Sequence, residues 1–478
     1  MNSFFALFPL LIIVFAALLV LILEVFLKKE NKNYLAYLSL AFLITCFVVC
    51  IKFWNRGYSY FNGNLILDNL SLFLISILIL ATGFVFLLSM KYISLQNTNY
   101  GEFYALLLLA LSGVIIMVSS KDLLVIFLGL EVLSISSYAL AGLRRDDQKS
   151  SEAAIKYFLL GSFATAFLVF GLALLYGSSH STDISTIIQY FQSEQSLSLM
   201  ALFGLGMVII AFGFKIAFVP FHMWTPDVYQ GAPTPITAFF SVVPKAAGFT
   251  ILLRIFLFYW DIALDSQAIF WLLWVISALT MVVGNLLALR QTNLKRILAY
   301  SSIAHAGYLL LAILARDNSS LVFYLTVYLF MNMGAFAAVI ALSKKEKEYL
   351  ELEDYAGIGF RYPWIGVTFS IFLLSLAGFP PTGGFLAKFF VFSAAVRQGL
   401  VPLVIIAVLA SLISVFYYMR IIVYMYMKEP SYKIEITVDN PALFLVLFLC
   451  LYGVLQLGLY PGNILLLIKQ AVSSIPLL

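Results

Sequence analysis

The fold is decided by the stretch Phe212-Gly-Phe-Lys-Ile-Ala-Phe-Val-Pro-Phe-His-Met-Trp-Thr-Pro-Asp-Val-Tyr-Gln-Gly-Ala-Pro-Thr-Pro235. Its apolar run carries one lysine, Lys215, and is broken at Pro220; the next apolar run carries a second lysine, Lys245. A charged residue at membrane depth costs roughly 2.5–3.5 kcal/mol on insertion scales. A broken span is tolerated only where the freed backbone groups face protein or water. We therefore interpret this stretch as a site inside a membrane rather than as an anchor.

The composition is that of an integral membrane protein. The 478 residues are 63% hydrophobic and 11% charged, whereas a soluble domain is about half apolar and about a quarter charged. The net charge of +5 is attributed to membrane orientation and not to nucleic-acid binding. Cys46, Cys50 and Cys450 lie in apolar runs without metal-ligand spacing, so we predict small buried hydrophobes. The sequence supplies neither an iron–sulfur ligand set nor a glycine-rich nucleotide loop.

Apolar runs of spanning length predict an all-α fold with about 14 transmembrane helices. The runs are 3–27, 33–55, 70–90, 102–119, 122–141, 152–176, 200–220, 234–258, 268–289, 296–315, 320–343, 363–398, 401–427 and 441–460. The run 363–398 is too long for one span and contains Gly378-Phe-Pro-Pro-Thr-Gly-Gly384. We expect a second broken helix there, and a short interfacial helix after Pro461.

The loop charges predict the orientation. Two loops, 177–199 and 259–267, contain neither Lys nor Arg. Alternate loops carry the basic residues Lys28, Lys29, Lys32, Lys91, Arg144, Arg145, Lys149, Arg290, Lys295, Arg296, Lys344, Lys345, Lys347, Arg361, Lys428 and Lys433. The positive-inside rule places these basic loops in the cytoplasm. Both termini are then expected on the outer, periplasmic face, in agreement with an even number of spans.

The positions of polar residues within the spans indicate an internal repeat. Glu131 and His305 are 305 − 131 = 174 residues apart, and Lys215 and Lys388 are 388 − 215 = 173 residues apart. This offset predicts a duplicated unit of five helices, and because five is odd the second copy is inverted. We expect a single membrane domain, 1–478, with N-terminal helices at 1–92, repeats at 102–258 and 268–427, and a C-terminal helix and tail at 441–478.

Five residues are candidates for moving protons at membrane depth: Glu131, Lys215, Lys245, His305 and Lys388. Chains of buried ionisable groups mark proton or cation pathways. Our hypothesis is that moving Glu131 away from Lys215 lowers the proton affinity of the lysine and passes a proton on. Hydroxyl groups suited to a relay lie near His305 in the sequence, on Ser301, Ser302 and Tyr308.

Each candidate also has a structural interpretation. Glu131 could form a structural ion pair or be a protonated, hydrogen-bonding acid, the lysines could extend to the membrane surface, and His305 could be a hydrogen-bonded core residue. His222 and Asp227 lie in the polar turn after Pro220. We expect them to order this turn rather than to move protons.

Five stretches carry a resemblance to a known family: Phe127-Leu-Gly-Leu-Glu131, Gly213-Phe-Lys-Ile-Ala-Phe-Val-Pro-Phe-His222, Trp224-Thr-Pro-Asp-Val-Tyr-Gln-Gly-Ala-Pro233, Ala299-Tyr-Ser-Ser-Ile-Ala-His305 and Phe379-Pro-Pro-Thr-Gly-Gly-Phe-Leu-Ala-Lys-Phe389. With them the chain resembles the antiporter-like membrane subunits of respiratory complex I, the proton-pumping NADH:quinone oxidoreductase, and specifically its subunit N family. The resemblance covers essentially the whole chain. It implies two inverted five-helix repeats, spans four to eight and nine to thirteen, with helices seven and twelve broken.

The resemblance also implies residue roles. Glu131 matches the fifth-helix glutamate of the family, Lys215 its seventh-helix lysine, Lys245 its eighth-helix lysine and Lys388 its twelfth-helix group. Subunit M typically has glutamate at the last of these positions, so Lys388 favours subunit N. The implied activity is proton translocation driven by quinone reduction on other chains.

The same resemblance implies the cofactors and partners. This chain itself holds no cofactor, and FMN, iron–sulfur clusters, NADH and quinone are bound by partner subunits. The expected partners are a neighbouring antiporter-like subunit, small membrane subunits of the complex and membrane lipid, in a bacterial inner (plasma) membrane. Two alternatives remain: a subunit of a multisubunit cation/proton antiporter, and a structural scaffold whose charges serve helix assembly.

Overall fold

The computed structural model describes residues 4–28, 32–96, 101–193, 198–262, 267–343, 348–430 and 440–474. Within these ranges, 13 helices are long and apolar enough to cross a membrane. One further span is divided into two helices of 15 residues each, which brings the total to about 14. The predicted all-α membrane fold is confirmed.

The helices before the first break are α1 (Phe8–Phe26), α2 (Asn33–Phe53), α3 (Asn69–Leu95), α4 (Glu102–Ser119), α5 (Leu123–Ala141), α6 (Gln148–Ser179), α7 (Ile184–Ser193) and α8 (Leu199–Ile216). Those from the first break to the second are α9 (Trp224–Gly231), α10 (Thr234–Ile262), α11 (Gln267–Leu289), α12 (Leu294–Leu314), α13 (Asn318–Ala341), α14 (Ile358–Arg361) and α15 (Pro363–Ala377). The last are α16 (Gly383–Arg397), α17 (Val401–Met427), α18 (Pro441–Leu459) and α19 (Gly462–Ser473).

Several short elements were not predicted from the sequence. Strands β1 (Tyr58–Tyr60) and β2 (Leu65–Leu67) form an antiparallel hairpin between α2 and α3. Helix α7 follows the sixth span, and α9 lies inside the first break. The short helix expected after Pro461 is present as α19.

Three helices form the core of the bundle. In α10, α12 and α13, between 94% and 100% of the most apolar window is buried, against 33% in α6 and 39% in α17. The core helices therefore lie inside a ring of helices whose apolar side chains face outward, where a membrane protein meets lipid. Lys245 lies on α10 and His305 on α12, so both belong to the innermost layer.

The two predicted breaks are confirmed. Helix α8 ends because Ala217 adopts a left-handed conformation with φ +69°, and the Phe218 N–H donates to the carbonyl of Gly213 at 2.7 Å. Helix α15 ends at Gly378, with φ +93°, and the Phe379 N–H donates to the carbonyl of Leu374 at 3.0 Å. Both are helix ends of the left-handed type, at which freed carbonyls find backbone partners. A cis peptide bond precedes Pro220 and Pro381, one in each break.

A second pair of matching features supports the inverted repeat. Asp122 precedes α5 and forms an isolated antiparallel bridge with Asp183; Asn293 precedes α12 and forms the same bridge with Glu351. The Asp122 and Asn293 side chains also accept hydrogen bonds from the first turns of their helices. Because α5 is the fifth span and α12 the tenth, the two bridges lie on opposite membrane faces. The two halves therefore repeat with inverted orientation.

The residue pairs used to predict this repeat are not equivalent positions, which is a correction. The cis prolines of the two breaks are 381 − 220 = 161 residues apart, yet Lys215 and Lys388 are 173 apart. Lys215 lies in the last turn of α8, before the first break, whereas Lys388 lies on α16, after the second break. The starts of α5 and α12 are 294 − 123 = 171 apart, so Glu131 corresponds to residue 302 and not to His305.

A buried ion network corrects the prediction that Lys295 is a loop cation. Lys295 lies in the first turn of α12 with no exposed surface, and its Nζ donates to the carbonyl of Ala232 at 2.6 Å. Its Nζ is also 3.8 Å from the carboxylate of Glu348, which Arg144 approaches at 3.0 Å. The hydroxyl groups of Tyr92 and Thr234 donate to the same carboxylate.

The charge of this network fixes the state of Glu348, which lies in the loop after α13. Burial alone would raise the pKa of Glu348, but Lys295 and Arg144, with the two hydroxyl donors, lower it to about 2. A carboxylate with two cations and two hydroxyl donors is well paired, so it remains ionised despite being buried. Glu348 therefore connects segments that are more than 200 residues apart in sequence on one membrane face.

Candidate functional site

Lys215 is buried in the last turn of α8, beside the first break. Its Nζ donates to the Ser134 hydroxyl on α5 at 2.9 Å and lies 3.5 Å from the Tyr157 hydroxyl on α6. The ammonium group also lies 5.3 Å from the centre of the Tyr157 ring and 5.9 Å from that of Tyr138, within cation–π range. Only 3% of Lys215 is exposed, so the snorkelling interpretation is excluded for this lysine.

Glu131 lies one turn before Ser134 on the same face of α5, since residues three apart are neighbours on a helix. Its carboxylate accepts a hydrogen bond from the Thr165 hydroxyl on α6 at 2.7 Å. Among the described ion pairs there is none between Glu131 and Lys215, whose charged atoms are therefore more than 4.0 Å apart. Ser134 lies between them, so Glu131 can act on Lys215 through its field but not by direct contact.

Lys245 follows Pro244, a proline inside α10, and is 2% exposed. Its Nζ donates to the main-chain carbonyl of Ser302 on α12 at 2.8 Å. The Ser302 hydroxyl in turn accepts from the Tyr328 hydroxyl on α13 at 2.8 Å. Lys245 of α10 is thus bonded to α12 through a main-chain carbonyl, and Ser302 in turn bonds α12 to α13.

His305 is buried on α12 with a hydroxyl group at each ring nitrogen. Its Nδ1 is 2.7 Å from the Tyr324 hydroxyl and its Nε2 is 3.4 Å from the Tyr418 hydroxyl. The Tyr418 hydroxyl is hydrogen-bonded to that of Ser301, and the ring of Tyr308 meets the imidazole edge to face at 5.7 Å. Of the predicted relay neighbours, Tyr308 meets His305 with its ring and Ser301 reaches it only through Tyr418, so the relay itself stays a prediction.

Lys388 lies on α16 and bonds the end of α15 across the second break. Its Nζ donates to the carbonyls of Leu376 and Ala377, at 3.0 and 2.8 Å, and to the Ser411 hydroxyl on α17 at 2.9 Å. These carbonyls are freed because α15 ends at Ala377, and a lysine at a helix C-terminus also complements the helix dipole. Lys388 lines an open cleft of about 690 Å³ between α16 and α17.

The structure joins three of the five candidates by direct contacts. Lys245 bonds the carbonyl of Ser302, whose hydroxyl meets Tyr328; the Tyr328 ring lies 5.3 Å from that of His305. Beyond His305, the Tyr308 ring lies 5.1 Å from the Lys388 ammonium group. Hydrogen bonds therefore lead from Lys245 to Tyr328, and ring contacts lead on from Tyr328 through His305 and Tyr308 to Lys388.

Lys215 and Glu131 form a separate group. The Tyr157 ring, which contacts Lys215, stacks on Trp224 at 4.4 Å and meets Phe240 of α10 at 5.6 Å. Aromatic rings therefore separate Lys215 from Lys245. The sequence suggested one continuous chain, and the structure instead shows two groups with an aromatic layer between them.

The residues of the polar turn after Pro220 divide as follows. Asp227 on α9 binds Lys156 at 2.6 Å and Arg296 at 2.7 Å, so it ties the break to α6 and α12, as predicted for a loop-ordering residue. The Nδ1 of His222 is buried and makes no hydrogen bond within the described residues, and the ordering role of His222 stays a prediction.

Sequence reasoning missed most of the hydroxyl partners. Ser134 lies three residues after the candidate Glu131, and Tyr324 lies on a different helix from its partner His305. Nothing in the local sequence distinguishes either residue. The repeated tyrosines of α13 and α17 were the available signal, since buried tyrosines need hydrogen-bond partners.

Among the described residues, no group of three or more His, Cys, Asp or Glu could hold a metal ion. The three cysteines are buried, as predicted.

These features match a known family. The sequence model of the NADH:quinone oxidoreductase/Mrp antiporter transmembrane family matches residues 120–414, a range that contains all five candidate residues. The chain belongs to this family. The matched range also contains both breaks and both isolated bridges.

Individual members confirm the predicted resemblance to subunit N. The NADH-quinone oxidoreductase subunit N of Trichlorobacter lovleyi is 44% identical over 461 residues, which cover 95% of this chain and 94% of the relative. Subunit N 1 of Solibacter usitatus is 38% identical over 473 residues, covering 98% and 96%.

Two solved structures share the fold of this family. A chain of respiratory complex I from Thermus thermophilus aligns with a TM-score of 0.82 at 32% identity, covering 96% of this chain and 98% of that one. A chain of the Mrp complex from Dietzia sp. aligns with a TM-score of 0.84 at 20% identity, covering 98% and 96%, and shows a shared fold only.

Proposed function

We propose that this chain is the proton-translocating membrane subunit N of an NADH:quinone oxidoreductase, and that Glu131, Lys215, Lys245, His305 and Lys388 move the protons. The observation that carries this proposal is the setting of the three lysines. Each is at most 5% exposed, and in the described structure each donates to hydroxyl or main-chain carbonyl oxygens rather than to a carboxylate. A structural charge at this depth would normally have a counter-ion.

Lysines held in this way are suited to exchanging protons. An ammonium group without a counter-ion at membrane depth is costly, so a small change in a neighbouring charge decides whether it keeps its proton. The imidazole of His305 lies between Lys245 and Lys388, with a hydroxyl at each nitrogen, and can accept on one side while donating on the other.

The two groups of residues have different tasks in this proposal. Lys245, His305 and Lys388 are linked through hydrogen bonds and ring contacts and pass protons along the core. Glu131 and Lys215 are separated from them by the Tyr157 ring and its aromatic neighbours, so they act on the core group by charge repulsion. A proton gained at Lys215 disfavours a second positive charge at Lys245.

The redox chemistry belongs to partner subunits in this proposal. FMN, iron–sulfur clusters, NADH and quinone bind there, and this chain meets a neighbouring antiporter-like subunit and small membrane subunits of the same complex. It lies in a bacterial inner membrane with both termini on the periplasmic face, and its repeats occupy 102–258 and 268–427. Relatives that are named as oxidoreductase subunits support this assembly over a free-standing cation/proton antiporter.

The test uses inside-out vesicles that contain the whole complex with Lys215→Ala. We expect NADH-driven acidification and NADH:quinone turnover to fall together by at least tenfold while the complex stays assembled. Lys149→Ala is the matched control, because Lys149 is exposed at the start of α6 and should keep parental activity. Parental activity in Lys215→Ala would sink the proposal. Vesicles without NADH-linked activity before mutation would favour the antiporter instead.

A further inference from the structure

A deep apolar crevice lies outside the proposed proton path. It opens between α2, α3, α13, α18 and α19 and has a volume of about 800 Å³. Ligand sites in proteins commonly have volumes of about 300–1,000 Å³. Its walls are formed by apolar side chains such as Phe47, Ile77, Leu80, Phe84, Phe330 and Leu449.

The crevice has the depth of one membrane leaflet. On α3, Phe84 lies 84 − 69 = 15 residues beyond the start of the helix, or about 22 Å along it. On α18, Leu449 lies 459 − 449 = 10 residues before the end of the helix, or about 15 Å. One leaflet of the hydrocarbon core is about 15 Å thick. The crevice therefore runs from one membrane surface to about the middle of the membrane. A single extended hydrocarbon chain fits the depth and the apolar lining of the crevice together.

The polar lining is concentrated at the surface end. Trp54 follows the last turn of α2, Gln456 and Tyr460 lie at the end of α18, and Asn463 begins α19. Trp and Tyr favour the level of the lipid headgroups. Ile464 and Leu467 of α19 line the crevice at this end, so the helix places apolar side chains over its mouth. This is the arrangement of a headgroup site above an acyl-chain site.

The charge at this end complements an anion. Three exposed cations belong to the segments at this end, although they are not among the residues that line the crevice: Lys52 in the last turn of α2, Arg56 just after α2 and Lys469 on α19. The described segments 54–67 and 461–474, which form this surface, contain no Asp or Glu. Basic groups beside a membrane-facing pocket attract anionic lipid headgroups.

We propose that this crevice is a binding site for an anionic phospholipid of the membrane. One acyl chain lies along α3 between α2 and α18, and the phosphate group lies among Lys52, Arg56 and Lys469. The lipid fills the space between the three N-terminal helices and α18, where the fold alone leaves the helices apart. Neither the family match nor the proton path requires this site, so it stands or falls independently.

The test uses the purified intact complex reconstituted with a phosphatidylglycerol that carries a diazirine in one acyl chain. After photolysis, adducts are mapped by peptide mass spectrometry. We expect saturable adducts on the crevice residues of α3 and α18. Ser76→Phe, which places a ring in the crevice, should reduce them at least fivefold. Ile405→Phe, at a position 55% exposed on α17, is the matched control and should leave them unchanged.

A second variant tests the headgroup site. The triple change Lys52→Gln, Arg56→Gln and Lys469→Gln should lose the preference for the phosphatidylglycerol probe over a phosphatidylcholine probe. Undiminished adducts in Ser76→Phe would overturn the proposal. So would a cross-link between Cys50, which lines the crevice, and a helix of another subunit. If Ser76→Phe does not assemble, the labelling of the parental complex tests the proposal instead. Labelling that grows linearly with probe and is not displaced by unlabelled phosphatidylglycerol would show bulk lipid only.

Discussion

At the scale of single residues, the site depends on hydroxyl groups rather than on ion pairs. Lys215 meets Ser134, Lys388 meets Ser411, and His305 meets Tyr324. A hydroxyl group can donate or accept, so it can remain bonded to an amine in either protonation state. A carboxylate partner would instead hold the ammonium form. The partners chosen here therefore leave the lysines able to change charge.

The first prediction concerns Ser134→Ala, which removes the hydroxyl bonded to Lys215. A hydrogen bond to a charged group contributes about 1.5–3 kcal/mol, so we expect proton-coupled turnover to fall about tenfold. Ser137→Ala is the matched control, because both serines lie on α5 and donate to the carbonyl four residues earlier at 2.6 Å. Coupled acidification in vesicles measures both. Equal losses in the two variants would mean that the Lys215 contact is irrelevant.

A second prediction concerns the ionised state of Glu348. Glu348→Gln removes the anion of Lys295 and leaves Arg144 with only Asp147 at 3.8 Å, and breaking a buried pair costs about 3–5 kcal/mol. We expect a lower unfolding temperature than for Glu353→Gln, where the replaced side chain is exposed. The unfolding temperature of the assembled complex is the measurement.

The same group predicts a pH dependence with a definite sign. The pKa of Glu348 is lowered to about 2 from an ordinary value of 4.5. Its contribution to stability is therefore complete above about pH 4.5 and is lost as the pH falls towards 2. The parental complex should lose more stability over this range than Glu348→Gln. Parallel curves for the two proteins would contradict the assigned network.

At the scale of elements, the two breaks are what the sequence predicted best. Pro220 and the glycine- and proline-rich stretch at 378–384 interrupt long apolar runs, and both mark real helix ends. The hairpin β1–β2 and helices α7 and α9 were missed because short segments are set by what they pack against. The pairing of Lys215 with Lys388 failed because sequence offsets do not show on which side of a break a residue lies.

A further prediction separates backbone strain from contact with the site. Gly378→Ala forces a side chain into a left-handed conformation, and its Cβ would lie 3.0 Å from Cδ of Lys388. Gly399→Ala forces the same strain at φ +75°, with no atom within 4 Å of its Cβ. Each should cost about 1 kcal/mol of stability, but only Gly378→Ala should also lower turnover. If both variants pump protons equally well, the position of Lys388 against the α15 carbonyls does not matter.

At the scale of the whole molecule, the sequence predicted the class, the number of spans and the residues inside the membrane. It did not predict how the three N-terminal helices are attached to the repeats. Arg254 of α10 was not singled out, although it is buried and donates to Asp68, at the start of α3, at 3.1 Å. The same guanidinium donates to the Ser71 hydroxyl at 2.7 Å and to the carbonyl of Val118 at 3.2 Å. Such long-range pairs leave no local pattern in a sequence.

The last prediction tests this attachment with a double-mutant cycle. Arg254→Gln leaves the Asp68 carboxylate buried without its cation, and Asp68→Asn leaves the guanidinium without its anion; each should cost about 3–5 kcal/mol. The double variant leaves no unpaired charge, and an asparagine can still accept from the α3 N-terminus. Because both charges leave together, the double variant should lose less stability than the sum of the two single losses, with a coupling energy of about 1–3 kcal/mol. The unfolding temperature of the intact complex measures the cycle, and limited proteolysis in the 58–67 hairpin reports release of the N-terminal helices. Additive losses would show that α3 is held to the repeats by apolar packing alone and that the buried ion pair adds nothing to it.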